Sequence, residues 1–258
     1  MELAFERRGS GEPLILIHGL GHHWQAWLPV MDRLAAARDV IAVDLPGFGR
    51  SPGLPDGVPY TAESLADAVE SFCALLGIRE PHVAGNSLGG YLALELASRG
   101  TVRTATALSP AGFWSRSELL YARAMLQATR ASARSIPPER AAELAENPLG
   151  RALAIGLMVA HPSRMTPTAL LAATQAVASA SGFEPTLESC THMMPPAPPK
   201  SPITIAWGER DRLLPRRQAV RAARWSGQRV KLLKGCGHVP MTDDPALVTR
   251  VLLEGSGG

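Results

Sequence analysis

The sequence is poor in cysteine and aromatic residues, and it has no long apolar run. Its 3 cysteines, Cys73, Cys190 and Cys236, are an odd number at wide spacing, which indicates neither a disulfide framework nor a zinc knuckle. No apolar run approaches the roughly 18 residues that a membrane span requires, and the first residues lack the order of a signal peptide. We therefore expect a cytoplasmic protein, in a reducing compartment, without a membrane span.

A large excess of charge of one sign is also missing. The chain has 26 basic and 23 acidic residues, for a formal net charge of +3. Because the basic residues are spread along the chain and form no tract of about 5 to 8 residues, nucleic-acid binding is not expected. The 258 residues, of which 46% are hydrophobic, are enough for one large globular domain or for a core with an appendage.

Short apolar runs alternate with longer amphipathic segments through most of the chain. This pattern predicts an α/β fold, in which a mostly parallel, doubly wound sheet carries crossover helices on its faces. One helix is expected to begin after Thr61 as its N-cap, because apolar residues then recur at helical spacing from Leu65 to Leu76. Further helices are predicted after residues 87, 214 and 242. The predicted strands are residues 3–8, 14–18, 40–44, 82–85, 104–109, 203–207 and 229–233.

The alternation stops between Gly112 and Pro202. This stretch is rich in Ala, Leu and Arg in helical patterns punctuated by prolines, which is typical of an inserted helical cap. Residues 1–111 and 203–258 are therefore predicted to form the core, and residues 112–202 the cap. The proline-rich residues 195–199 are expected to form a stiff linker back to the core.

The segment Gly85-Asn86-Ser87-Leu88-Gly89 matches the Gly-x-Ser-x-Gly nucleophile elbow. A predicted strand precedes it and a predicted helix follows it, so Ser87 would lie on the sharp turn between them. Gly85 and Gly89 would avoid side-chain collisions there, and the helix N-terminus favours developing negative charge. By itself the pentapeptide is a weak signal, because glycine-rich strand-to-helix turns also occur in purely structural roles.

Further motifs occur in a set order, each at the end of a predicted strand. They are His18-Gly19-Leu20-Gly21, Asp44-Leu45-Pro46-Gly47-Phe48-Gly49-Arg50-Ser51, Gly85-Asn86-Ser87-Leu88-Gly89-Gly90, Trp207-Gly208-Glu209-Arg210-Asp211 and Gly237-His238. With these motifs the sequence resembles the capped α/β-hydrolases, from about residue 10 to residue 250. The resemblance is weak only through the cap.

The chemistry of a serine nucleophile explains three of these positions. A serine hydroxyl needs a base to take its proton and a third group to orient that base. Ser87, Asp211 and His238 supply such a set in the chain order of the α/β-hydrolase fold, and each follows a predicted strand. Six other histidines compete with His238, at positions 18, 22, 23, 82, 161 and 192. Three other acids compete with Asp211: Asp44 as a turn cap, and Asp243 and Asp244 as caps of the last helix.

The resemblance also implies an oxyanion hole made by the backbone N–H groups of Leu20 and Leu88. His22 is interpreted as a residue at the mouth of the pocket, with Trp24 and Val239 as further pocket candidates. His22 and His23 could also form a metal-binding pair, but no carboxylate or cysteine cluster accompanies them. We therefore predict neither a metal nor a cofactor.

A serine at the elbow argues against the dehalogenases and epoxide hydrolases of this fold, which use aspartate. We predict a serine hydrolase of the carboxylesterase type that cleaves an ester of a small to medium apolar substrate through an acyl-enzyme intermediate. The arginines of the cap, at positions 116, 123, 130 and 134, recur on one helical face, and we expect that face to be solvated.

Alternatives remain open at the level of the sequence. One is a carbon-carbon bond hydrolase of dienone ring-cleavage products, although Val239 follows His238 where that group commonly has tryptophan. Thioester, lactone, amide or lyase chemistry is another. The last is a ligand receptor on the same fold that does not turn over its ligand.

Overall fold

The computed structural model describes residues 1–257, and within them seven strands form one sheet in the order β1-β3-β2-β4-β5-β6-β7. The strands are β1 (Phe5–Arg8), β2 (Pro13–Ile17), β3 (Asp39–Val43), β4 (His82–Asn86), β5 (Thr104–Leu108), β6 (Ile203–Gly208) and β7 (Lys231–Leu233). Only the β1–β3 pairing is antiparallel. The α/β prediction and its mostly parallel sheet are confirmed.

Helices cover both faces of the sheet. In the core they are α1 (Leu28–Ala35), α2 (Ala62–Leu75), α3 (Leu88–Arg99), α9 (Arg217–Ser226), α10 (Pro240–Asp243) and α11 (Pro245–Gly255). Thr61 caps α2 as predicted, since its hydroxyl accepts a hydrogen bond from the Ser64 N–H. Within residues 1–257 no helix combines the length and the hydropathy needed to cross a bilayer.

The strands alternate their side chains between two hydrophobic cores. Ile15 and Ile17 of β2 pack in the core that also contains residues of α2 and α3, whereas Leu14 and Leu16 pack in the core that contains residues of α1 and α11. Because successive side chains of a strand point to opposite faces, a strand covered on both sides reads as a continuous apolar run. For this reason the strands could be predicted from the apolar runs of the sequence.

The sheet register brings several loops to one edge. Ile17 of β2 lies opposite Gly85 of β4, and Gly208 of β6 lies opposite Leu233 of β7. The loop after β2 therefore adjoins the turn after β4, and the loop after β6 adjoins the loop after β7. This is the carboxyl edge of the parallel strands, where open α/β sheets carry their ligands.

Between β5 and β6 the chain is helical, and residues 112–202, the predicted cap, are called the insert below. Its α-helices are α4 (Arg116–Ser135), α5 (Pro138–Glu146), α6 (Pro148–Ile155), α7 (Pro167–Ser179) and α8 (Phe183–Ser189). A capping box starts α4, in which Ser115 and Glu118 each accept a hydrogen bond from the backbone N–H of the other. The boundaries between core and insert remain a prediction from the sequence. Gly258 lies outside the described residues.

The prediction that the arginines of α4 form one solvated face is wrong for the middle of the helix. Arg116 and Arg134 are exposed, but Arg123 is partly buried and Arg130 is buried. The reason is tertiary, because α8 packs against the middle of α4: Arg123 donates to the Leu187 carbonyl, and Arg130 lies over the Phe183 ring. The Arg130 guanidinium lies 4.5 Å from the centre of the Phe183 ring of α8.

Candidate active site

Ser87 lies on a strained turn between β4 and α3. Its φ of 57° and ψ of −115° are unusual for a residue with a side chain, and such strain persists only where the surroundings fix the backbone. The glycines on either side of Ser87 allow segments of backbone to approach each other closely there. A Cβ on Gly85 would lie 1.9 Å from the Gly89 carbonyl oxygen, and a Cβ on Gly89 would lie 2.1 Å from the Ile17 carbonyl oxygen. Only glycine fits at either position.

The loop after β2 runs directly against Ser87. A Cβ on Gly19 would lie 3.2 Å from the Ser87 Cβ. His18 fixes this loop from the inside of the protein: its Nε2 accepts a hydrogen bond from the Leu45 N–H at 2.9 Å, so its Nδ1 carries the proton and donates to the Gly19 carbonyl at 2.8 Å. His18 is therefore a structural residue beside the site.

His238 and Asp211 are paired at the same edge of the sheet. His238 Nδ1 lies 2.8 Å from Asp211 Oδ2, and because a carboxylate only accepts, Nδ1 is the donor. The other oxygen, Asp211 Oδ1, accepts the N–H groups of Leu213 at 3.0 Å and Leu214 at 2.8 Å. The pairing fixes the tautomer of His238 and leaves its Nε2 without a proton, so that Nε2 can accept one.

The competing acids have other partners. The Asp44 carboxylate, which lies directly after β3, accepts the backbone N–H groups of Trp24 and Arg50. The Asp244 carboxylate accepts the Leu247 N–H and caps α11. Asp243 is buried beside the His238 loop, but its carboxylate accepts only backbone N–H groups in the hydrogen bonds of the described chain.

Asn86 is a contributor to the site that the sequence interpretation missed. Its amide Nδ2 donates to the Leu108 carbonyl at 3.1 Å and to the His238 carbonyl at 2.9 Å. One buried side chain thus connects the elbow, the end of β5 and the loop of His238. The only signal in the sequence was its place beside Ser87 in the Gly-Asn-Ser triplet.

A small apolar cavity lies over Ser87. Its volume is about 30 Å³, close to the share of one water in the liquid, whereas typical ligand sites measure about 300–1,000 Å³. The insert contributes most of its lining. The lining residues are Leu20, Ser87, Leu88, Ala111, Trp114, Leu119, Ala122, Arg123, Leu126, Leu187, Cys190, Leu213 and Leu214.

The three predicted pocket residues lie outside that lining. Trp24 packs against the core on the α1 side, and its N–H donates to Asp44. Val239 is buried, and its N–H donates to the Met158 carbonyl of the insert at 2.8 Å. His22 is partly buried, and its Nδ1 has no hydrogen-bond partner among residues 1–257. The predicted oxyanion residues Leu20 and Leu88, in contrast, both line the cavity.

A sequence profile of the alpha/beta hydrolase family matches residues 14–251. The chain belongs to the alpha/beta hydrolase family. The match covers the core and the insert together, and it confirms the family suggested by the order of the motifs.

Three curated relatives of this alpha/beta hydrolase match it over part of its length. A dihydrolipoyllysine-residue acetyltransferase component of an acetoin cleaving system from Cupriavidus necator is 37% identical over 44% of this chain and 30% of that protein. A pimeloyl-acyl-carrier-protein methyl ester esterase from Aeromonas salmonicida is 38% identical over 38% of this chain and 36% of that protein. A 2-hydroxymuconate semialdehyde hydrolase from a Pseudomonas species is 40% identical over 35% of this chain and 33% of that protein.

A solved structure is similar over nearly the whole chain. The structure of a bacterial membrane phospholipase A matches with a TM-score of 0.75 and 26% sequence identity, covering 99% of this chain and 83% of its own. The structural similarity therefore extends through the insert as well as the core.

A second and larger cavity of this hydrolase, about 770 Å³, is lined by residues other than Ser87, Asp211 and His238. It lies beside α8, which faces both cavities: Leu187 lines the small cavity, and Glu188 lines the large one. Among residues 1–257 no group of three or more His, Cys, Asp or Glu is placed to hold a metal ion.

Burial makes His18 a source of acid sensitivity in this hydrolase. Burial lowers the pKa of His18 to about 3 from the usual 6.5, so the unfolded chain binds this proton at a higher pH than the folded chain does. The stability that His18 contributes is complete above pH 6.5 and is lost as the pH falls toward 3.

We expect His18→Gln to reduce the loss of stability between pH 7 and pH 5 by about 2 kcal/mol. The measurement is the free energy of urea unfolding at both pH values, for the wild type and the variant. Burial also lowers the pKa of His22 to about 3, but His22 is present in both proteins, so the effect of its burial is removed from the difference. An equal pH dependence in the two proteins would contradict a neutral, buried His18.

Proposed function

We propose that this alpha/beta hydrolase is a serine hydrolase of the carboxylesterase type, which cleaves a small to medium apolar ester through an acyl-enzyme intermediate. The observation that carries the proposal is the 2.8 Å pairing of His238 with Asp211, at the sheet edge where Ser87 occupies the strained elbow. A nucleophile, a base and an orienting acid are the parts that acyl transfer requires.

In the proposed mechanism, Ser87 Oγ attacks the ester carbonyl while His238 Nε2 takes the hydroxyl proton. Asp211 holds the His238 Nδ1–H and stabilises the imidazolium that forms. The backbone N–H groups of Leu20 and Leu88 donate to the oxyanion, a contact typically contributing about 3 kcal/mol in the transition state. His238 then protonates the leaving alcohol; in deacylation it takes a proton from the attacking water and returns it to Ser87 Oγ as the bond between Ser87 and the acyl group breaks and the acid is released. No cofactor takes part in any step.

The lining of the small cavity supports an apolar acyl group. Leucine and alanine side chains surround Ser87 there, and they offer few hydrogen bonds to a sugar or a peptide. We infer that the insert acts as a cap, which opens to admit the substrate and excludes water when it closes. The partial match to a methyl ester esterase and the similarity to a phospholipase are consistent with ester cleavage.

A second candidate is the carbon-carbon bond hydrolase, and two arginines favour it. Arg123 lines the small cavity, and Arg130 is buried further along the same face of α4, where its Nε lies 3.4 Å from the Glu184 carboxylate and its Nη1 has no hydrogen-bond partner among residues 1–257. Buried guanidinium groups suit a substrate carboxylate, and one relative is a 2-hydroxymuconate semialdehyde hydrolase. Against it, Arg123 already donates to Glu188 and to the Leu187 carbonyl.

A substrate panel separates the two candidates. We expect kcat/KM for p-nitrophenyl esters of two to eight acyl carbons to exceed that for anionic esters and for a carboxylate-bearing dienone by at least about tenfold. The matched variants are Arg123→Ala, at the cavity, and Arg116→Ala, on the exposed end of the same helix. Both should keep the preference for neutral esters.

Two outcomes would contradict the ester proposal. Preferential cleavage of the dienone, lost in Arg123→Ala and kept in Arg116→Ala, would establish the carbon-carbon hydrolase. Tight binding of a panel compound without turnover of any member would indicate the receptor.

A further inference from the structure

Asp243 is a fully buried acid near the candidate site, and no step of the proposed mechanism uses it. It ends α10, its side chain is inaccessible to solvent, and its two carboxylate oxygens accept three backbone N–H groups. Oδ2 accepts from Gly237 at 2.7 Å and from Ala160 at 3.0 Å, and Oδ1 accepts from His161 at 2.7 Å. These charge-assisted bonds compensate for the burial of a negative charge.

The three donors belong to two different parts of the chain. Gly237 immediately precedes His238, whereas Ala160 and His161 belong to the insert. The two segments touch closely, because a Cβ on Gly237 would lie 2.8 Å from the Ala160 nitrogen. The Asp243 carboxylate therefore binds the insert to the loop of His238 through a shared set of hydrogen bonds.

The backbone of the His238 loop is held at three consecutive residues. Gly237 donates to Asp243, the His238 carbonyl accepts from Asn86, and Val239 donates to the Met158 carbonyl of the insert. One of these bonds is made to the insert segment 158–161, and another is made to the Asp243 carboxylate, which also accepts the Ala160 and His161 N–H groups of that segment. Asp211 orients the ring of His238, but the place of its backbone is set by these bonds.

We propose that Asp243 is a positioning residue, which aligns His238 with Ser87 by fixing the His238 loop and the insert segment 158–161 to one carboxylate. The proposal rests on the proposed function of Ser87 and His238. According to this proposal, Asp243 holds His238 and the insert segment 158–161 in a fixed position relative to each other. Displacing a catalytic group by about 1 Å can lower the rate by about 100-fold.

Asp243→Asn tests this role with little change in volume. An amide nitrogen would face backbone N–H donors, so at least one bond to Gly237, Ala160 or His161 is lost. Acylation and deacylation both use His238, so we expect kcat for a p-nitrophenyl ester to fall by about 10- to 100-fold while KM stays within about threefold. The matched control is Asp244→Asn, which affects only the cap of α11 and should leave both constants near wild type.

A fluorophosphonate probe separates positioning from partial unfolding. The final labelled fraction counts competent sites, and the rate of labelling reports the reactivity of each site. In Asp243→Asn we expect complete labelling at a rate at least about tenfold slower than wild type. Incomplete labelling at the wild-type rate would mean that Asp243 only stabilises the fold, and it would overturn the proposal.

A second variant covers the case in which Asp243→Asn does not fold. The exposed Arg164 donates to the main-chain carbonyl of Asp243, so Arg164→Gln loosens Asp243 without altering its carboxylate. Slower labelling of fully competent sites in Arg164→Gln would then support the proposal, and wild-type labelling would overturn it. Ser87→Ala is assayed in parallel, because it tests the proposed function itself. If Ser87→Ala kept wild-type turnover, the proposed function would be refuted. If Ser87→Ala is inactive and Asp243→Asn has normal activity, only the role of Asp243 is refuted.

Discussion

Ser87→Ala is expected to lower ester turnover by at least about 10³-fold and to leave the fold unchanged. The substitution removes only the attacking oxygen. The backbone of residue 87 keeps its hydrogen bonds, since its N–H donates to Leu108 and its carbonyl accepts from Tyr91 and Ala111. The strained φ is imposed by those bonds and by the flanking glycines, and they are the same in the variant.

The measurement is kcat/KM for a p-nitrophenyl ester, together with the thermal unfolding midpoint. Ser109→Ala is a matched control, because Ser109 lies at the end of the neighbouring strand β5, is buried and also has a positive φ of 43°. Its hydroxyl accepts the Gly208 N–H, so the control should lose about 1 kcal/mol of stability and keep its turnover. If Ser87→Ala, free of contaminating esterase, kept more than a tenth of wild-type activity, the assignment of Ser87 as the nucleophile would be refuted.

The strands and the edge they form were predictable because local physics determines them. Runs such as residues 14–17 are apolar throughout, which a strand covered on both faces requires. Once the strands are parallel, the loops that follow them meet at one edge whatever their own conformations. Ser87, Asp211 and His238 could therefore be expected at that edge, although the 2.8 Å bond between His238 and Asp211 could not be derived from sequence.

Features that depend on tertiary contacts were not predictable. Helical spacing correctly put Arg116, Arg123 and Arg130 on one face of α4, but it gave no sign that α8 covers the middle of that face. Likewise, two adjacent acids before α11 indicated two caps. Asp244 is the cap, whereas Asp243 turns inward to backbone N–H groups that come from a segment about eighty residues away.

The small size of the cavity over Ser87 is another tertiary property. Its lining comes from loops of the core and from helices of the insert, and the separation of such elements is set by packing rather than by periodicity. For the same reason the predicted pocket residues His22, Trp24 and Val239 are near the site in sequence but outside the lining.

His238→Ala is expected to be nearly as damaging as Ser87→Ala, with a loss of about 10³-fold or more in kcat/KM. Without the ring, no group takes the proton from the Ser87 hydroxyl, and Asp211 loses the partner that it orients. Tight backbone bonds at Gly237, His238 and Val239 should keep the loop in place, so the effect is chemical rather than structural. His22→Ala, at a nearby histidine outside the cavity lining, is the matched control and should retain most of the activity.

The double variant Ser87→Ala, His238→Ala gives the sharper result. If the two residues acted independently, their effects on the rate would multiply to a loss of about 10⁶-fold. Because base and nucleophile act in the same proton transfer, we expect the rate of the double variant to be no more than about tenfold below that of either single variant. The residual rate would come from the oxyanion donors and from substrate binding, which neither substitution touches. The measurement is single-turnover hydrolysis with enzyme in excess, with each protein purified on fresh resin to exclude wild-type carry-over. Multiplicative losses would show that His238 does not serve Ser87, and the proposed catalytic pair would have to be abandoned.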